Sequence, residues 1–241
     1  MKKLLLLIAA FVMVAGASAQ NNKKKKDYTP ALSRAGDHLM IQLSSDHWIG
    51  SADSIKNHIK GFARGINAYV MLDKVFKSAP NFSVAFGLGV SYSGIYFKKY
   101  GIDLKSNASK LPFNALDSAD HFKKYKLATS YVEIPIEIRY SSNPNNDMKS
   151  IKAAIGFKAG TMLNAHTKGK NLEDKNGKAL YNYVQKENSR KFFNSTRLAV
   201  TARVGYGNFS VFGSYQINNL FKDGVAPDTR LLQVGLTLSG L

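Results

Sequence analysis

Cysteine is absent from this chain, tryptophan occurs once and proline six times in 241 residues. Without cysteine there is no disulfide framework, no thiolate nucleophile and no sulfur metal site. Acidic residues are scarce. Sixteen Asp and Glu stand against thirty-four Lys and Arg, a net charge of +18. Long apolar runs are missing too. The run Leu4–Val14 falls well short of the ~20 residues that a membrane helix needs. Lys2 and Lys3 precede it and Ala17-Ser18-Ala19 follow it, so residues 1–19 read as a cleaved signal peptide. No cysteine follows for lipid attachment. An exported chain that meets a membrane without a spanning helix must cross it as a closed barrel, because an open sheet leaves backbone groups unpaired in lipid. Export also makes nucleic acid a poor counterpart for the positive charge. Outer-membrane lipid and anionic glycolipid are the expected partners, with no nucleic acid.

What is present is alternation. From Phe82 to Ser93 the even positions are Phe, Val, Phe, Leu, Val and Tyr, and the odd ones Ser, Ala, Gly, Gly, Ser and Ser. This predicts a strand with one oily face and one face of very small groups. Its length suits the ~9–11 tilted residues that cross a bilayer. The small face suits the inside of a narrow barrel whose outside meets lipid. Seven further stretches predict strands: His38–Trp48, Phe62–Phe76, Tyr131–Tyr140, Ile151–Asn164, Phe193–Tyr206, Phe209–Asn219 and Leu231 to the end, the third strand running to Phe97. Their connections alternate short and long, as in barrels with short periplasmic turns and long outer loops. The fold expected is all-β, a single up-and-down antiparallel transmembrane barrel of about eight strands over residues 37–241. Residues 20–36, with Lys23 to Lys26, form a disordered basic periplasmic tail. Pro135 predicts a bulge, and the count across the turn after Tyr140 sets Glu133 opposite Lys158. Ser51 or Asp53 caps a helical turn through Ile59.

Facing assigns the functional candidates. Asp73, Glu133, Glu137, Arg139, Lys152, Lys158, Arg197 and Arg203 point inward. Eight strands leave room only for side chains or one small ligand, so these charges read as a paired network that plugs the lumen. Aromatic residues collect at both rims. Phe76, Phe82, Tyr140, Tyr206 and Phe209 lie at the short turns, and Trp48, Tyr96, Phe97, Phe193 and Phe221 at the loops, which suggests two headgroup girdles. Two long loops, 98–124 and 166–190, are rich in lysine. Asn176-Gly177 in the second predicts a tight hairpin, so its flanking strands extend past the membrane as a ribbon. Asp174 to Gly177 lacks most ligands of a calcium loop and reads as a turn.

A catalytic role would fall to His47, His58, His121 and His166, with Asp46, Asp117 and Asp120 nearby. No spacing among them matches a triad or a paired-carboxylate site. The chain therefore reads as a non-enzyme without cofactor or metal. Its function is a structural or surface-interaction role, and a small lipid-modifying barrel enzyme is the catalytic alternative. A soluble lipocalin-like carrier is another alternative, and it would need its large apolar side chains inside.

The run Tyr131-Val132-Glu133-Ile134-Pro135-Ile136-Glu137-Ile138-Arg139-Tyr140 resembles the central strand of the PorT-like outer-membrane β-barrel family. The ending Gln233 to Leu241 is similar to that family's last strand, and the glycine-studded third strand fits as well. The resemblance implies an outer-membrane location and about eight strands. Through one founding member it also implies an accessory part in type IX-like protein secretion or surface assembly. It implies no catalytic residues.

Overall fold

The computed structural model describes residues 39–240, Phe62 excepted. The expected leader and basic tail lie outside the described residues. The chain forms β1 (Leu39–Ile49), a helical turn α1 (Asp53–Lys56), β2 (Arg64–Phe76), β3 (Ala79–Phe97), β4 (Tyr100–Ile102), β5 (Phe113–Ala115), β6 (His121–Ser141), β7 (Ile151–Glu173), β8 (Ala179–Asn188), β9 (Thr196–Tyr206), β10 (Phe209–Gln216) and β11 (Arg230–Ser239). The sheet runs β6-β3-β2-β1-β11-β10-β9-β7 and closes through β6–β7, all antiparallel. Eight strands thus complete a barrel, with β1 and β11 zipped from Met40↔Ser239 to Ile49↔Arg230. No helix among the described residues is long and apolar enough to cross a membrane.

Closure follows from the pleat. With β1 paired to both β2 and β11, and β6 to both β3 and β7, the barrel strands leave no backbone edge open. Alternation then sends bulky hydrocarbon outward. Phe86, Leu88 and Val90 are each about half exposed (50–51%), and Ile134, Ile136, Ile138, Val200, Val211 and Leu236 continue the same outer belt. The inner face carries the small and polar groups, among them Ser83, Ala85, Ser91, Asn67 and Gln42. A lipocalin-type interior would show the opposite sorting.

Four details differ from the sequence expectation. Glu133 pairs with Gly160, and Lys158 with Pro135, two positions away from the expected register; parity, and so facing, is kept. The β6–β7 bulge lies at Ser130/Tyr131 instead of Pro135, with Leu163 of β7 as the extra residue. The β3–β6 register is the same on both sides of Pro135, whose missing N–H is accommodated without an extra residue. The helical turn has Ala52 at its N-cap with no side-chain cap, so neither Ser51 nor Asp53 serves. The first long loop is folded: it holds the β4–β5 hairpin, and β6 begins at His121 instead of Tyr131. The second loop forms the expected ribbon, with β6 and β7 passing the apolar belt to meet β8 in a three-stranded extension.

The extension turns at Asn176-Gly177, where Gly177 has φ +86°, a value that suits a residue without Cβ. Asp174 fastens this turn. Its Oδ1 accepts the amides of Asn176 (2.9 Å) and Lys178 (2.8 Å), and these donors hold its carboxyl below the usual range.

Candidate functional site

The interior is filled by two charge clusters. In the first, Arg197 bridges to Glu133 at 3.0 Å, and Tyr69 donates its hydroxyl to the same carboxylate at 2.6 Å. Lys158 donates to Gln42 (3.0 Å) and Tyr69 (3.3 Å) and lies over the rings of Tyr69 and Phe212. Arg197 also donates to Gln233 (3.0 Å) and stacks over Tyr131 at 5.3 Å. Gln233 in turn donates to Asp46 (3.1 Å). In the second cluster Glu137 holds both Arg139 (2.9 Å) and Arg203 (3.2 Å). All of these ions are buried. Charge so deep is tolerated only when paired and hydrogen-bonded on most sides.

Backbone economy makes room for the carboxylates. Glu133 is flanked in register by Gly89 on β3 and Gly160 on β7, and Glu137 by Ala85 and Gly156. A Cβ on Gly160 would meet the Glu133 side chain at 2.7 Å, and one on Gly156 would meet Glu137 at 2.9 Å. Arg197, opposite Gly160 on β9, therefore reaches Glu133 across a strand that presents no side chain between them.

Of the eight inward charges expected, Glu133, Glu137, Arg139, Lys158, Arg197 and Arg203 join these clusters. Lys152 is buried on the inner face near the short turns. Asp73 faces inward opposite Ala85, but it is half-buried and forms no ion pair among the described residues. The sequence reading left Asp46, Tyr69, Gln42 and Gln233 out of this network and named Asp46 only beside the histidines. Parity along β1 carried the signal for Asp46, because it continues the inward series Gln42, Ser44.

The aromatic residues divide. Phe76, Phe82, Tyr140, Tyr206 and Phe209 are exposed on the outer face at the short turns. At the loop end the girdle expectation fails for four of five. Trp48 (7%), Phe97 (0%), Phe193 (0%) and Phe221 (1%) are buried. They form an apolar cap over the lumen with Tyr100, Phe113 and Leu104, with ring centroids 5.1–5.9 Å apart for Phe193–Phe221, Trp48–Phe97, Trp48–Phe221 and Phe113–Phe221. The reason is parity. Trp48 shares the inner face with Gln42 and Ser44, and Phe97 shares it with Ser91 and Ser93. Tyr96, on the outer face, is half-buried beside Lys126. Beneath the cap the residual cavity is about 10 Å³, lined by Trp48, Tyr131 and Gln216 among others, no more than a single water's worth.

The chain matches the family model of the outer membrane protein β-barrel domain over residues 18–224. The chain belongs to that family. This outer-membrane barrel is similar in fold to Neisserial surface protein A, at 13% identity and a TM-score of 0.34, with 84% of this chain and 97% of that one covered. It is also similar to Ail, the attachment invasion locus protein of Yersinia pestis, at 13% identity and 0.34, with 83% and 94% covered. No curated protein matches the chain.

Among the described residues, the histidines of this outer-membrane barrel do not assemble a site. His47 points outward beside Ser45, while its neighbour Asp46 points into the lumen. His58 stacks on Tyr100 at 4.6 Å and meets Asp117 at 3.2 Å, an exposed pairing. His121 contacts the Ala119 carbonyl, and His166 contacts Asn164. A cleft of about 210 Å³ lies between the β4–β5 hairpin and the extension, lined by Asp103, Asp120, His121, Tyr125 and Glu187 among others. Burial raises the Tyr125 hydroxyl above its usual range there, despite hydrogen bonding to the Ile102 carbonyl. No group of three metal-ligating side chains occurs among the described residues.

Proposed function

We propose that this protein is a non-conducting, non-enzymatic outer-membrane barrel with a structural and surface-interaction role, and that it belongs with the PorT-like members of its family. The observation that carries this is the interior: two clusters of buried, ion-paired and hydrogen-bonded side chains, and an aromatic cap at one mouth. A lumen so filled leaves the outside and the loop end as the working surfaces. The orientation follows the rule that short turns face the periplasm, which puts the extension, the cap and the basic loops outside the cell. Outer-membrane lipid and its anionic glycolipid are then the nearest partners. The resemblance of Tyr131–Tyr140 to the PorT-like central strand supports the narrower placement.

Cell fractionation, heat-modifiable gel mobility and planar-bilayer recording test the reading together. The expected result is an outer-membrane protein whose folded and boiled forms run differently and which shows no steady unitary conductance. A soluble chain, or a reproducible open-channel current from the folded barrel, overturns it.

A further inference from the structure

The extension has two faces of opposite character. Register aligns Tyr96, Lys126, Lys168 and Lys186 in one row across β3, β6, β7 and β8. The next row toward the tip sets Lys124 opposite Lys170. One row nearer the belt, His166 stands opposite Ala128. Residues directly opposite share a face, with Cβ atoms ~4.5–5.5 Å apart. Five lysines are therefore gathered on one patch of three strands.

The patch continues the lipid-facing side of the barrel. Lys126 donates to the Tyr92 hydroxyl at 2.7 Å and lies over the rings of Tyr92 and Tyr96. Tyr92 follows Val90 on the outward face of β3, so the lysines begin where the apolar belt ends. The acidic groups of the extension lie elsewhere. Glu187 is opposite Thr167 on the inner face, and Glu173 takes Lys123 at 3.1 Å. None of the five lysines forms an ion pair among the described residues. Like charges set directly opposite one another destabilise a sheet, yet this one places three in a single row. A countercharge from outside the chain would relieve the repulsion.

We propose that Lys126, Lys168 and Lys186, with Lys124 and Lys170 above them, bind the phosphate groups of a phosphorylated, acylated glycolipid of the outer leaflet, its acyl chains lying along the belt beneath. The charge and the position belong together. A free anion needs no apolar surface beside its site, whereas an amphiphile needs both. Membrane phosphates draw exposed basic groups at this level. His166 reports the same field. Burial first, then the charges of Lys186, Lys126 and Lys168, push its imidazole down to about 4.

The inference rests on the outward-facing surface barrel proposed above, and its test separates the two. The full-length chain, folded into phosphatidylcholine nanodiscs, is titrated with bisphosphorylated lipid A, with its dephosphorylated form and with inorganic phosphate. Wild type is expected to prefer the phosphorylated glycolipid. Lys168→Gln with Lys186→Gln is expected to weaken that binding roughly thirty-fold, at about fivefold per lysine. Lys175→Gln with Lys178→Gln, an equal loss of charge at the hairpin tip, is expected to leave it near wild type. Equal weakening in both pairs, or none in the first, overturns the proposal, as does inorganic phosphate binding as well as the glycolipid. Heat-modifiable mobility is read on the same samples. An unfolded or soluble chain counts against the barrel reading, whereas a folded barrel indifferent to phosphate counts against the site alone.

Discussion

Glu133 sits where four other strands supply its surroundings: glycine on either side, Arg197 across one of them, Tyr69 above. Replacing it with alanine strands a buried guanidinium and should cost about 3–5 kcal/mol, read as a lower urea midpoint in detergent. Glu133→Leu with Arg197→Leu should recover most of that loss, because the orphaned charge leaves with its partner. Gly89 carries a related constraint. A Cβ there would meet the Ala68 carbonyl and the Tyr69 ring. Gly89→Val should therefore destabilise the barrel by about 1–3 kcal/mol, with folding yield in detergent as the measure. His166 titrates low, about 4 against an ordinary 6.5. The unfolded chain thus takes up its proton first as pH falls, so the local stabilisation is complete above that interval and is lost on descending through it. Removing the Lys168 and Lys186 charges should raise the His166 value, visible in an NMR titration of its imidazole. At this scale parity alone made most inward charges legible. The pairing of each glutamate with small neighbours was not, since it depends on cross-strand register, and the register was off by two.

By facing alone, the strands were legible only below the rim. Over Tyr131–Tyr140 the outer positions are apolar and the inner ones charged. Above the belt the pattern inverts: Tyr125 and Leu127 face in, while Lys124 and Lys126 face out. A search for oily outer faces therefore starts β6 too late and ends β7 too early, and only the Asn176-Gly177 turn signalled that the second loop continues as strands. The same inversion misled the girdle reading, since large rings above the belt turn inward to make the cap. Trp48, the sole tryptophan, distinguishes these placements. In bilayers containing brominated lipid its fluorescence should be only weakly quenched, whereas a headgroup girdle would predict strong quenching. Trimming β7–β8 beyond residue 166 should leave the barrel able to close, because β7–β9 pairing ends at Thr161↔Thr196. Heat-modifiable mobility of the trimmed chain is the check.

For the whole molecule, the alternation of short and long connections was enough to announce an up-and-down barrel, because that rhythm reflects which rim each turn occupies. Closure was not readable in the same way. It lies in the β1–β11 ladder and in the Gly240 amide donating to the Leu39 carbonyl at 3.3 Å, contacts between opposite ends of the described chain. That seam has a kinetic meaning. Contacts so distant in sequence form slowly, and none of these can form before the last strand has been made. A ribosome still at work on this chain holds no partial cylinder. Until that final zip, the completed polypeptide keeps its oily face and both seam edges bare.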